Sequence, residues 1–215
     1  MGITTGGMTD AGVTAGPGRT PTWPRAAAGT LGALALLYLL EVFDAATGTL
    51  FDAQFFDAGV TPRSLDGLSG VLWAPLLHSG FTHLGANAVP LGVLGFLVAL
   101  GGLRRAVVVT AAVWLIGGLG VWVFGATGTV HLGASVLVFG WLAYLLVRGV
   151  FNANFGQILL GLLLGVVYGG VLWGVLPGQA GISWEGHLFG ALGGVAAAAV
   201  LSRRRAHRAR RAPRA

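Results

Sequence analysis

Apolar runs separated by short polar breaks occupy the chain from residue 26 to residue 201 and predict six helical spans. The first, Ala26 to Phe43, has 18 residues. At about 1.5 Å per helical residue it nearly crosses a hydrocarbon core of about 30 Å. Arg25 precedes it, and Glu41 and Asp44 stand at its far end. From Asp44 to Leu77 the pattern breaks: Asp44, Asp52, Asp57 and Asp66 alternate with Phe51, Phe55, Phe56 and Trp73. Acids mixed with aromatics predict a loop lying in the membrane interface. A second span runs from about Phe81 to Gly101 and stops at Arg104 and Arg105, and a third runs from Ala106 to Phe124. A fourth begins near Ser135 and ends at Arg148. The fifth, about Phe155 to Leu176, carries Gly161, Gly165 and Gly169 at four-residue spacing, which favours close helix contact. Pro177 and Gly178 end it, and the sixth runs from Gly186 to Leu201. The expected fold is an all-α integral membrane bundle of six transmembrane helices over residues 26–201, with an interfacial loop between helices 1 and 2. Residues 1–25, rich in Gly, Thr and Pro, read as a flexible tail, and residues 202–215 as an Arg-rich one.

Composition fits no soluble globule, with 55% hydrophobic and 9% charged residues. Cysteine is absent, which excludes disulfides, thiol nucleophiles and thiolate metal sites. A net charge of +6 could suggest nucleic acid, but every basic residue is Arg and seven of the 13 follow Ser202. That distribution suits a tail against anionic lipid and argues against a nucleic-acid partner. Six spans put both termini on one side, together with Arg19, Arg25, Arg104, Arg105, Arg148 and the tail. Arg63 alone falls opposite, among Asp44, Asp52, Asp57, Asp66 and Glu185. The positive-inside rule then makes both termini cytoplasmic in a multi-pass protein. The lack of Lys and Cys beside abundant Arg, Gly and Ala points to a prokaryotic plasma membrane and a GC-rich genome.

Ser135, His187, Asn87 and His83 interrupt the apolar spans, and counting from the cytoplasmic arginines gives their depth. Ser135 lies 13 residues from Arg148, His187 16 from Arg203 and Asn87 17 from Arg104. These separations correspond to roughly 20, 24 and 26 Å above the inner face. His83 lies one turn above Asn87, at i and i+4 on the same helix face. Polar groups inside spans face the bundle interior and mark function, so four at one level form a candidate site. Gly190, Ala191 and Gly194 follow His187 on its face, and Gly133 and Ala134 flank Ser135, so both helices can approach closely. An imidazole near a hydroxyl is the minimum for nucleophilic catalysis, and Asn and His can donate to an oxyanion. No acid lies at this depth, so the catalyst would be a dyad. Each residue can also serve as an interhelical hydrogen bond worth about 0.6–2 kcal/mol. A metal at His78, His83 and His187 would lack the carboxylates or thiolates such sites recruit, so no cofactor is expected. His131 reads as interfacial, and His207 belongs to the charged tail.

Three motifs in this order resemble the rhomboid intramembrane serine proteases: His78-Ser-Gly-Phe-Thr-His83-Leu-Gly-Ala-Asn87, Gly133-Ala-Ser135, and Gly186-His187-Leu-Phe-Gly190-Ala-Leu-Gly-Gly194. The resemblance covers about Leu31 to Leu201. It implies Ser135 as nucleophile, His187 as general base, and His83, Asn87 and the Ser135 N–H around the oxyanion. His78, Gly133 and Gly190 belong to the matching motifs, and Phe139 matches the aromatic that packs on the base. It also implies single-span membrane substrates, a small residue before the cut, and movement of the fifth span and the loop from Pro177 to Glu185. One position departs: the family reads Gly-x-Ser-Gly, and here Val136 stands last. A branched side chain beside the nucleophile puts rate or substrate range in question. The alternative reading is an inactive relative that binds transmembrane segments and controls their trafficking or turnover. A transporter or channel would spread its polar groups along a pore.

Overall fold

The computed structural model describes residues 22–51 and 58–211, without the side chains of 49–51 and 203–211. Seven α-helices follow in order: α1 (Trp23–Phe51), α2 (Gly70–Trp73), α3 (Phe81–Ala99), α4 (Leu103–Phe124), α5 (Ser135–Phe151), α6 (Phe155–Tyr168) and α7 (Trp184–Arg211). Short 3₁₀ segments, Asp66–Leu68 and Ala74–Leu76, flank α2, and a third, Gly169–Val175, continues α6. The described residues contain no strand, only one antiparallel bridge between Val60 and His131. Five segments are long and apolar enough to cross a membrane: Trp23–Gly48, Phe81–Ala99, Leu103–Phe124, Phe155–Val175 and Trp184–Ser202. The expected fourth span, α5, is a shorter apolar helix of 17 residues. It is also the most enclosed, burying Leu137, Val138, Phe139, Gly140, Leu142, Ala143, Tyr144 and Leu145 consecutively or nearly so. A helix buried on all sides reads as uniformly apolar, which is why its sequence resembles a span facing lipid.

Helix α7 packs most extensively on α5 and α4, and glycine makes that possible. A Cβ on Gly190 would sit 2.5 Å from the Val136 carbonyl oxygen, and one on Gly193 2.8 Å from the Val113 Cα. A Cβ on Gly194 would collide with the Gly140 oxygen. Backbones therefore touch across both seams, the geometry that small residues allow between helices in lipid. The outward faces of α1 and α6 are apolar and open, with Leu39, Leu159, Leu162 and Val166 exposed as lipid requires.

Several boundaries differ from the sequence expectations. The first span continues beyond Phe43 to Phe51, so Asp44 lies on a helix and not in the loop. Alternating acids and aromatics do not stop a helix that Ala45, Ala46 and Thr47 can extend, with Thr47 bonding back to Phe43 and Asp44 carbonyls. Asp52, Phe55, Phe56 and Asp57 lie outside the described residues, as does the tail through residue 21. Arg104 and Arg105 begin α4 and do not precede it. The glycine stripe of the fifth span works over part of its length. Gly161 meets α5 at the Leu146 oxygen, 2.9 Å from an added Cβ, whereas Gly169 faces open space. There the α-helix gives way to the 3₁₀ segment, since Gly169 and Gly170 offer little to hold an α-turn. The last helix runs past Leu201 to Arg211 without a break.

Candidate active site

Ser135 opens α5 and His187 lies in the first turn of α7, and the glycine seam between the two helices brings their side chains together. The Ser135 Oγ is 2.9 Å from His187 Nε2. His187 Nδ1 is 3.0 Å from the Gly174 carbonyl oxygen. A carbonyl only accepts, so Nδ1 carries the ring proton and Nε2 presents its lone pair to the serine hydroxyl. The Phe139 ring stacks on the imidazole with centroids 3.8 Å apart and 9° between planes. His187 is buried and Ser135 half-buried. Gly174, in the 3₁₀ segment after α6, has no functional side chain to betray its part. A Cβ there would stand 3.0 Å from His187 Nδ1 and 2.8 Å from the Phe139 ring.

His83 approaches from the opposite side, at the start of α3. Its Nδ1 is 3.1 Å from the Ser79 hydroxyl and 3.5 Å from the Ser79 backbone nitrogen. The backbone N–H can only donate, which leaves the ring proton on Nε2. That atom faces Gly133: a Cβ on Gly133 would lie 2.9 Å from His83 Nε2 and 3.8 Å from Ser135 Oγ. Gly133 adopts φ +119°, a conformation that side-chain-bearing residues rarely hold. Ser135 is the first residue of α5, so its own N–H is one of those a helix leaves without an internal partner. Asn87 is buried, and its amide nitrogen donates to the His83 carbonyl at 3.1 Å, one turn back. It thus stands beside the site with one amide hydrogen committed to its own helix.

His78 holds the loop that leads into Ser135. Its Nε2 accepts from the Ala134 N–H at 3.3 Å, and its ring meets His83 edge-on at 5.2 Å. Burial, with His83 nearby, pushes His78 from the ordinary 6.5 down to about 4. An unfolded chain takes up this proton below about pH 6.5, and the folded protein resists until about pH 4. Stability from the neutral ring is thus complete above about pH 6.5 and falls as the pH drops toward about 4. Thermal unfolding in detergent should show a melting temperature that declines across this window. His78→Gln, which keeps an acceptor for Ala134 but does not titrate, should decline less; an equal decline would clear His78 of the effect.

Val136 packs between two helices beside Ser135. Its Cγ2 fills a notch between α4 and α7, where a Cβ on Gly117 would overlap it and one on Gly190 would come within 3.0 Å. Glycine on α4 leaves the room that this branched side chain takes.

Three further residues support the site. Ser79 fixes the His83 tautomer; its signal was a hydroxyl four residues before a histidine. Glu41, buried on α1, bonds to the Gly80 backbone and so ties α1 to the His78–His83 turn. A carboxylate inside an apolar run was the available signal. The third is His131, held on both ring nitrogens.

Membrane-length helices around a part-buried hydroxyl–imidazole pair define a multi-pass membrane protein. The Rhomboid domain profile matches residues 65–204, and the chain belongs to the rhomboid family. It is 45% identical over 192 residues to the Uncharacterized protein Rv1337 of Mycobacterium tuberculosis (strain ATCC 25618 / H37Rv), covering 86% of this chain and 78% of that one. The Uncharacterized protein ML1171 of Mycobacterium leprae (strain TN) is 45% identical over 177 residues, covering 79% of this chain and 68% of that one. No solved structure is significantly similar.

Proposed function

We propose that this protein is an intramembrane serine endopeptidase that hydrolyses a peptide bond in or near the transmembrane segment of a single-span membrane protein. The observation carrying this reading is the 2.9 Å approach of Ser135 Oγ to a His187 ring whose tautomer is fixed by Gly174. The hydroxyl proton passes to Nε2 as Oγ attacks the scissile carbonyl. The resulting imidazolium keeps its Nδ1–H on the Gly174 oxygen and its face on Phe139, where a cation gains from the ring electrons. Negative charge develops on the former carbonyl oxygen, within reach of the Ser135 N–H, His83 Nε2–H and the free Asn87 amide hydrogen. His187 then protonates the leaving amine, and a water deprotonated by the same ring releases the acyl group. The substrate helix unwinds at the cut, because intact helices hide their carbonyls in hydrogen bonds. Both termini face the cytoplasm of a prokaryotic cell, and the arginines after Ser202 meet anionic lipid.

A fluorophosphonate should modify wild-type protein at Ser135, and absence of labelling would favour the non-catalytic alternative. Val136→Gly separates the readings further. Its labelling rate should not exceed wild type, while stability falls by about 1–3 kcal/mol because the notch over Gly117 and Gly190 empties. Labelling that appears only in Val136→Gly would mark the native protein as a binding relative.

A further inference from the structure

His131, outside the spans and four residues before Ser135, joins three parts of the chain. Its backbone pairs with Val60 of the loop before α2, N–H to oxygen in both directions at 2.8 and 3.0 Å. Its Nε2 is 2.7 Å from the Thr129 hydroxyl and its Nδ1 is 2.7 Å from the Ser183 hydroxyl. The directions of these bonds follow by elimination. Thr129 donates its one hydroxyl hydrogen to the Ala126 oxygen at 2.6 Å, so it accepts from His131 Nε2–H. The neutral ring then accepts at Nδ1 from the Ser183 hydroxyl. Burial favours that neutral form, with the Glu185 charge opposing it.

Ser183 immediately precedes α7, and its Oγ also accepts from the Gly186 N–H at 3.3 Å, the bond of an N-cap. Its carbonyl accepts the His187 N–H at 3.1 Å. One continuous set of bonds therefore runs from the 126–129 turn through His131 and Ser183 to the backbone of the residue facing Ser135. His131, Ser183, Ser135 and His187 also line one small cavity of about 30 Å³.

We propose that His131 is a positioning residue of the site: with Ser183 it clasps the start of α7 to the nucleophile loop and holds His187 in register with Ser135. This inference rests on the proposed hydrolytic reading. His131 touches neither substrate nor reacting atoms in this role. A displacement of about 1 Å between nucleophile and base costs on the order of 100-fold in rate, which is the effect expected when the clasp opens.

The rate of fluorophosphonate labelling at Ser135, per folded molecule, tests the clasp. His131→Ala should label about 100-fold more slowly than wild type. Because His131→Ala also removes packing, Ser183→Gly is the second variant. Glycine remains a good N-cap, so α7 starts normally while the bond to His131 is lost, and labelling should slow to a similar degree. The double variant should label no more slowly than the slower single one, as residues acting as one unit do. His131→Gln, which can still donate toward Thr129 and accept from Ser183, should recover part of the rate. Wild-type rates in folded His131→Ala or Ser183→Gly would overturn the clasp while leaving the dyad intact. Multiplying losses in the double variant would also overturn it. Failure of the wild type itself to label would instead overturn the hydrolytic reading.

Discussion

Ser135→Ala and His187→Ala are each expected to lower kcat on a membrane-anchored substrate by about 10⁴–10⁶, with the double variant no slower than the worse single one. The magnitude follows from what each change removes. Without Oγ nothing attacks the carbonyl covalently, and without Nε2 the hydroxyl keeps its proton and remains a weak nucleophile. The groups proposed to face the oxyanion stay in place in either variant, so a residual rate above that of water is expected to survive and to be common to all three. The ring's anchors, Gly174 and Phe139, are independent of Ser135, so Ser135→Ala should fold and bind normally. Cleavage in liposomes, followed by gel mobility of the substrate, is the measurement. Wild-type cleavage by either single variant would remove the dyad from consideration.

Gly133→Ala should lower kcat by about 10²–10³ and change KM little. A methyl at this position meets His83 Cε1 at 2.8 Å and Nε2 at 2.9 Å, so the ring must retreat from Ser135 or the loop must shift. Either movement takes His83, the proposed oxyanion donor, out of range. The backbone φ of +119° adds strain of about 1–3 kcal/mol for any residue with a Cβ. Strain and collision can be told apart with Gly128→Ala in the same α4–α5 connection. Gly128 also has positive φ, +82°, but an added Cβ there meets nothing within 4 Å. Gly128→Ala should therefore lose stability and keep its rate. Equal losses of rate in both variants would mean that loop strain, not His83, sets the effect.

The spans were legible because lipid imposes one demand on a helix surface, and runs such as Ala106 to Phe124 meet it plainly. Ser135 and His187 were legible because a polar group in such a run has few reasons to be there. Their hydrogen-bond partners were harder to see. Gly174 acts through a backbone oxygen that every residue possesses, and Ser183 and Ser79 act through hydroxyls common in any turn. The 3₁₀ ending of the fifth span begins at Gly169, which the four-residue glycine spacing reads as a helix contact although nothing packs on it. The partner of Val136 was equally hidden: its Cγ2 takes room left by Gly117, 19 positions earlier and on another helix.

The α7 seam has a consequence for how much sequence change the protein can absorb. Gly190, Gly193 and Gly194 lack side chains, so no alternative rotamer or neighbouring adjustment can relieve an added atom where backbone already meets backbone. Each of these positions admits essentially one residue type. Leu192 and Val200, exposed on the same helix, need only be apolar and can drift among Leu, Ile, Val and Phe at little cost. Within one helix, then, the specification that brings His187 to Ser135 is concentrated in the residues that carry the fewest atoms.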